Sequence, residues 1–146
     1  SNFGYGFVTR FADIQANTRK GKAVLNVGKQ ATALPPSPVT DSKSDFIVAV
    51  SSAGHMLVTP VEQLPQMARG KGNKIINIPA KLLKAGEEEV AAMTVVPEGC
   101  KLVVHSGKKY KTMKPAELEG YEGERGRRGL KLSQGYRAVD RLVVEC

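Results

Sequence analysis

The stretch GHMLVTPVEQL, residues 54–64, repeats the stretch GYGFVTRFADI, residues 4–14, position by position and without a gap. A third copy, residues 107–118, aligns with one extra residue. Internal similarity at long, regular spacing is typical of repeat architectures. The glycine that opens each copy favours a hairpin turn, because glycine readily adopts the positive φ angles that such turns need.

Each copy leads into a run of cations and glycines and then into a short apolar tail. The runs are RKGK at residues 19–22, RGKGNK at residues 69–74 and RGRRG at residues 125–129. The tails have strand-like composition and occupy residues 23–27, 75–78 and 130–132. Because the three basic runs occupy equivalent repeat positions, we expect them on one rim of the molecule.

Short runs rich in valine and isoleucine precede the second and third copies, at residues 45–50 and 100–104. Such runs, bounded by glycine, proline, serine and aspartate, are typical of strands. Helical signals are weak: single turns are expected after Pro60 and Pro115. Residues 81–92 fit a short helix weakened by Gly86, but we favour a connection between repeats.

These patterns predict an all-β fold of about three propeller-like blade repeats, in an open arc or a truncated ring. The expected repeats are residues 1–45, 46–98 and 99–146. A further strand-like run, residues 140–145, follows the third repeat. It either folds back beside residues 3–9, which we favour, or pairs with a second molecule.

Composition narrows the function classes. The 146 residues include 22 Lys+Arg against 14 Asp+Glu, a net charge of +8, which favours a polyanionic partner. Aromatic residues make up 5% and tryptophan is absent, which argues against a stacking platform for single-stranded nucleic acid. No apolar run is long enough to cross a membrane, so no integral membrane segment is expected. The two cysteines, Cys100 and Cys146, argue against a disulfide scaffold and fit a reducing compartment.

No catalytic pattern stands out. The sequence lacks a Walker-type loop and a Ser/His/Asp arrangement. His55 and His105 lack the further ligands that a zinc site needs, and the glutamates at residues 87–89 cannot all converge on one ion. We therefore expect no catalytic residue, no metal site and no cofactor in this chain.

The basic runs have the chemistry of a phosphate-binding surface. Glycine allows the backbone to approach a phosphate closely, while lysine and arginine supply charge and hydrogen-bond donors. The predicted DNA-binding residues are Arg19, Lys20, Lys22, Arg69, Lys71, Lys74, Arg125, Arg127, Arg128 and Lys131. A second tier consists of the hairpin lysines Lys108, Lys109 and Lys111.

The segments GKGNKIINIP, residues 70–79, and GERGRRG, residues 123–129, together with the hairpin copies, resemble a known family. They are similar to the C-terminal domain of the A subunit of bacterial DNA topoisomerase IV and, more distantly, to the same domain of DNA gyrase. The resemblance covers essentially the whole chain. It implies a β-pinwheel, whose blades exchange a strand and whose basic outer rim bends or wraps double-stranded DNA.

Two departures from the family pattern refine this expectation. No run reproduces the glutamine-led basic-glycine box of the gyrase proteins, which favours topoisomerase IV and weaker wrapping. The family domain usually has five or six blades, so about three blades are expected to form the C-terminal part of such a domain.

The resemblance also implies a function. It implies sequence-tolerant DNA binding and bending that tunes decatenation and supercoil relaxation in chromosome segregation, by a chain without enzymatic activity of its own. In the implied parent enzyme, the catalytic tyrosine and the sites for ATP and magnesium lie outside this chain. The implied partners are duplex DNA, two ATPase B-type subunits and a second A subunit.

The implied location is the bacterial cytoplasm at the nucleoid, with peripheral membrane association as a further option. The alternative function is a protein-interaction module that docks a condensin-type, chromosome-organising partner. Four glutamates beside the third basic run give that region the mixed charge that suits a protein partner: Glu117, Glu119, Glu122 and Glu124.

Overall fold

The computed structural model describes residues 1–14 and 23–146 of the chain. Within these residues the strands are β1 (Tyr5–Gly6), β2 (Phe46–Ser51), β3 (His55–Pro60), β4 (Asn73–Lys74), β5 (Val90–Val96), β6 (Lys101–Ser106), β7 (Lys109–Met113), β8 (Leu130–Lys131) and β9 (Arg141–Glu145). The helices are short: α1 (Phe11–Ile14), α2 (Ala80–Ala85), α3 (Pro115–Glu119) and a 3-10 turn at Val61–Gln63. The all-β prediction is confirmed, as are the single turns after Pro60 and Pro115.

The strands form three separate antiparallel sheets, and two of these sheets contain a strand from a later repeat. The middle sheet has the order β5-β2-β3-β8, and the third has the order β7-β6-β9. A two-stranded sheet pairs β1 with β4, at Tyr5 opposite Lys74. In the same way β8 pairs with β3, at His55 opposite Lys131. Each hairpin strand of the first two repeats thus receives its outer neighbour from the next repeat: β4 lies within the second basic run, and β8 directly follows the third.

The central strands of the middle sheet, β2 and β3, are buried on both faces, which explains why β2 reads as a continuous apolar run. Val48 and Val50 pack in one core cluster with Leu102 and Val104 of the third sheet. The intervening residues Ile47 and Ala49 belong to a second cluster, together with Leu57, Ile75, Ile76 and Ile78. Because side chains alternate along a strand, one sheet serves two cores and stacks between neighbouring repeats.

The terminal strand has a different partner from the one that we favoured. β9 stays within the chain, but it pairs with β6 and not with residues 3–9. This register places Leu142 and Val144 on the first core cluster, opposite Val104 and Leu102. Burial of these two side chains against the first core cluster favours the pairing with β6.

Residues 81–92 combine two elements that the sequence pattern did not separate. The helix α2 ends at Ala85, capped by Gly86 in the left-handed conformation. The strand β5 then begins at Val90 and pairs with β2 along its whole length. The prediction of a simple inter-repeat connection was wrong, because β5 occupies the edge of the middle sheet.

The two cysteines are joined, contrary to the expectation from composition. Cys100 precedes β6 and Cys146 follows β9, and their Cα atoms lie 4.4 Å apart in a disulfide. The pair continues the β6–β9 register by one step beyond Lys101 opposite Glu145. Antiparallel pairing therefore brings the two thiols together although 46 residues separate them in the chain.

The strand exchange crosses the expected repeat boundaries, since β8 lies within residues 99–146 but pairs in the middle sheet. The three repeat ranges remain a prediction. Among residues 1–14 and 23–146, none of the helices is long and apolar enough to span a bilayer.

Candidate nucleic-acid interface

The second basic run is shaped by two glycines. Gly70 and Gly72 have φ angles of +136° and +79°, which favour glycine over other residues. The Gly70 N–H donates to the carbonyl oxygen of Val24, and its own carbonyl accepts from the N–H of Asn26, both at 2.8 Å. This anchoring leaves Arg69 and Lys71 exposed on either side of the glycine.

Two lysines of this run gather around one aromatic ring. The Lys71 Nζ atom lies 4.0 Å from the centroid of the Tyr5 ring, and the Lys74 Nζ atom lies 6.0 Å from it. Lys74 also donates from Nζ to Asn77 Oδ1 at 3.2 Å. The ring attracts the cations, so it orders side chains that would otherwise move freely in solvent.

Backbone hydrogen bonds join the third run to the second. The Gly126 N–H donates to the Ile75 carbonyl at 2.7 Å, and the Asn77 N–H donates to the Arg127 carbonyl at 2.8 Å. The segments 69–77 and 125–129 therefore lie side by side. We call the cations of these two segments the joined basic surface.

Arg125 strengthens the same junction from its side chain. Its Nη1 atom donates to the Lys74 carbonyl at 2.7 Å, and its backbone N–H donates to Gln63 Oε1 at 2.8 Å. Arg127, by contrast, is exposed and pairs with the exposed Glu124, at 3.4 Å. An exposed pair of this kind contributes little to stability, so Arg127 is available to another anion.

Arg128 has different surroundings. Its Nη2 atom lies 2.8 Å from Oε1 and 2.6 Å from Oε2 of Glu88, whose side chain is only 4% exposed. The Arg128 side chain is 29% exposed, and its buried Nη1 atom has no hydrogen-bond partner within residues 1–14 and 23–146. This ion pair argues against a phosphate contact by Arg128.

His55 lies beside the same ion pair. Burial and the neighbouring Arg128 guanidinium lower the pKa of His55, and Lys131 acts in the same direction. A backbone hydrogen bond to Gly129 and the Glu88 carboxylate act in the opposite direction. The net effect disfavours the protonated imidazole beside these two cations.

The remaining predicted residues lie elsewhere. Lys131 is exposed on β8, next to the joined basic surface in sequence. Lys109 and Lys111 lie on β7, the edge strand of a different sheet, and the Lys111 Nζ atom is 3.7 Å from Glu117. Lys108 is exposed in the turn before β7. Arg19, Lys20 and Lys22 lie outside the described residues.

Three contributors to this region were not predicted from the sequence. Tyr5 orders two lysines, Gln63 accepts from the Arg125 backbone, and Glu88 neutralises Arg128. The equivalence of Tyr5 and His55 in the repeat was the only available signal. Glu88 carried none, because it sits in a run of three glutamates that is expected to be solvated. Nowhere in the described part of the chain do three potential metal ligands cluster.

Comparisons with known proteins agree with this architecture. The family model of the DNA gyrase C-terminal domain, a beta-propeller, matches residues 1–29 and 45–97. The A subunit of DNA topoisomerase 4 is 43% identical over 145 residues in both Pseudomonas aeruginosa and Escherichia coli K12. The same protein from Haemophilus influenzae is 36% identical over 146 residues. Each alignment covers 99% of this chain and 19% of the relative.

Solved structures show the same fold. The E. coli ParC C-terminal domain matches with a TM-score of 0.87 and 42% identity, over 99% of this chain and 58% of that chain. A crystal structure of the C-terminal domain of DNA topoisomerase IV shares the fold at a TM-score of 0.55 and 18% identity. It covers 73% of this chain and 32% of that one. The predicted resemblance and the propeller-like fold are thus confirmed: the chain belongs to the family of C-terminal β-propeller domains found in the A subunits of topoisomerase IV and DNA gyrase.

Proposed function

We propose that this chain binds double-stranded DNA, with little sequence preference, through the joined basic surface. The observation that carries the proposal is the pair of backbone hydrogen bonds, Gly126 to Ile75 and Asn77 to Arg127, that fix two basic runs side by side. Cations held on a rigid surface meet regularly spaced phosphates, whereas sequence readout would require side chains that enter a groove.

The proposed contacts fall into two groups. Within the described residues they are Arg69, Lys71, Lys74, Arg125, Arg127 and the adjacent Lys131, with the β7 hairpin lysines in a second tier. Outside those residues they are Arg19, Lys20 and Lys22, by repeat equivalence. Arg128 is left out, because Glu88 already pairs with it.

The proposed role follows from the family. The chain spans 19% of the length of the three topoisomerase relatives named above, so the activity of the whole enzyme is a proposal. We infer that the domain bends duplex DNA and so tunes decatenation and supercoil relaxation by an ATP-dependent type IIA topoisomerase during chromosome segregation. In this proposal, DNA cleavage and the sites for magnesium and ATP belong to other regions of the enzyme. Two B-type subunits and a second A subunit complete the assembly. It acts at the nucleoid, in the bacterial cytoplasm.

The test is duplex binding, measured by fluorescence anisotropy across a salt series. If about six to eight phosphates are neutralised, log K falls against log salt with a slope of roughly −5 to −7. A shuffled duplex of the same length binds with the same affinity. A flat salt response, or a strong preference for one sequence, would overturn the proposal.

A matched pair of variants assigns the surface. Lys71→Gln removes one proposed contact and makes the slope shallower by about one unit. Lys101→Gln removes the same charge from an exposed position on β6 and leaves the slope unchanged. Equal effects of the two variants would show that net charge, and not the joined basic surface, governs binding.

A second candidate function is docking of an acidic protein partner of the condensin type. The observation that favours it is β7, whose outer edge carries no partner strand in the described part of the chain and whose side chains include Lys109 and Lys111. An extended acidic segment can add to such an edge through backbone hydrogen bonds. Displacement of the bound duplex by a purified condensin-type partner supports this candidate, and independent binding of duplex and partner assigns them separate surfaces.

A further inference from the structure

Two cations of the basic runs occupy equivalent positions in the repeat. Gly72 and Gly129 both have a φ angle of +79°, and each lies against the backbone of the hairpin strand, at Gly6 and Met56 respectively. A two-residue strand follows each glycine and puts a lysine opposite the first residue of that hairpin strand, Tyr5 or His55. The residue before each glycine is therefore the same structural position.

At that position the second basic run has Lys71 and the third has Arg128, and the two cations have opposite surroundings. Lys71 is exposed, with its ammonium group over the Tyr5 ring. Arg128 is mostly buried and is paired with the buried Glu88 carboxylate, which arrives from the connection between α2 and β5. The second basic run thus presents its cation to solvent, whereas the cation of the third run is neutralised by Glu88.

We propose that Glu88 sets the DNA affinity of this domain by withholding Arg128 from the duplex. The inference rests on the DNA binding proposed above and adds a residue that limits it. The repeat pattern places a phosphate contact at the position of Arg128 in the third run. In this proposal, the pairing with Glu88 removes that contact.

Arg128 is not needed to fix the third run in place. The run is held by the backbone bonds of Gly126 and Arg127, and the Leu132 N–H donates to the Gly54 carbonyl at 2.9 Å just beyond it. Without the carboxylate, the partly buried guanidinium would lose the anion that pairs with it, while its Nη1 atom has no hydrogen-bond partner among the described residues. The cost of burying an unpaired charge would then turn the side chain towards water, as the exposed Lys71 side chain already is.

The experiment compares Glu88→Gln with Glu87→Gln in the 146-residue protein. Both variants gain one unit of net charge, but only Glu88 pairs with Arg128, whereas Glu87 is exposed. Duplex binding is measured by anisotropy across a salt series at a temperature where circular dichroism shows each variant folded. We expect the slope of log K against log salt to steepen by about one unit for Glu88→Gln relative to Glu87→Gln, with tighter binding at low salt.

The double variant Glu88→Gln/Arg128→Gln replaces the ion pair by a neutral pair and keeps the slope of the unmodified protein. A shallower slope in the double variant would show that Arg128 already contacts DNA, which overturns the inference. The same holds if Glu88→Gln behaves like Glu87→Gln or binds more weakly. If the unmodified protein itself shows no salt-dependent binding, the proposed function fails first.

Discussion

Arg127 and Arg128 are neighbours in the chain, yet removal of each should have a different consequence. Arg128→Ala leaves the Glu88 carboxylate buried without its partner, whereas Arg127→Ala removes only an exposed pair with Glu124. We expect Arg128→Ala to lower the free energy of unfolding by up to about 3 kcal/mol, below the range of a fully buried pair because the guanidinium is partly exposed. Arg127→Ala should change it by less than about 0.5 kcal/mol.

Urea unfolding followed by circular dichroism distinguishes the two variants, and their DNA binding should show the reverse order. Arg127→Ala should make the salt slope shallower by about one unit without a change in stability. Equal losses of stability would mean that the contact with Glu88 contributes nothing beyond a surface ion pair.

At the scale of the elements, the pairing of the exchanged strand β8 with β3 depends on Gly129. A Cβ atom on Gly129 would lie 2.5 Å from the carbonyl oxygen of Met56 on β3, so any side chain there pushes β8 away from the sheet. Gly28 has the same φ angle of +79°, but none of the described residues has an atom within 4 Å of such a Cβ atom. Alanine substitutions at Gly28 and Gly129 therefore distinguish steric contact from backbone strain.

Gly28→Ala should therefore cost only the strain of a left-handed alanine, about 1–2 kcal/mol. Gly129→Ala should cost more, and it should also weaken duplex binding because the third basic run shifts with β8. Thermal unfolding and anisotropy measure the two effects. If both alanine variants lose the same stability, the close approach to Met56 does not hold β8 in register.

The positions of strands that contain a continuous apolar run could be predicted from the sequence. The pairing of these strands within the sheets could not. The runs around Val48 and Val103 fall on β2 and β6 because continuous valine and isoleucine indicate buried strands. β5 was not predicted, since its first residues lie within the helix-like segment 81–92. The partner of β9 depends on burial against β6, which is a long-range contact that no local pattern encodes.

The basic site was predictable as a set of residues but not as an arrangement. Repeat equivalence identified the runs that contain Lys71 and Arg127, which lie together through the Asn77 hydrogen bond. The neutralisation of Arg128 depends on a carboxylate 40 residues away, so repeat spacing could not indicate it. Whether these cations bind DNA remains a prediction.

At the scale of the whole molecule, the disulfide between Cys100 and Cys146 closes the third sheet at one end. Cross-linking residues that are 46 positions apart restricts the unfolded chain, which typically contributes about 2–4 kcal/mol. We expect the unfolding midpoint of air-oxidised protein to fall when dithiothreitol is added. Cys146→Ser should show the lower midpoint with or without dithiothreitol.

Duplex binding of the reduced protein at 25 °C should match that of the oxidised protein, because the cysteines lie on the β6–β9 pair and not on the basic runs. If dithiothreitol leaves the unfolding midpoint unchanged, the disulfide does not stabilise the β6–β9 pairing.

The exchanged strands also constrain how the protein is made. The hairpin strand β3 ends at Pro60, but its outer neighbour β8 lies at Leu130–Lys131, about 70 residues later. At a typical translation rate of roughly 5–20 residues per second, that edge emerges from the ribosome several seconds before its partner exists. During this interval the nascent chain carries an unpaired strand edge, which is a route to misassembly between neighbouring chains. The order of the repeats therefore leaves this edge of the growing polypeptide without its native partner until β8 has been synthesised.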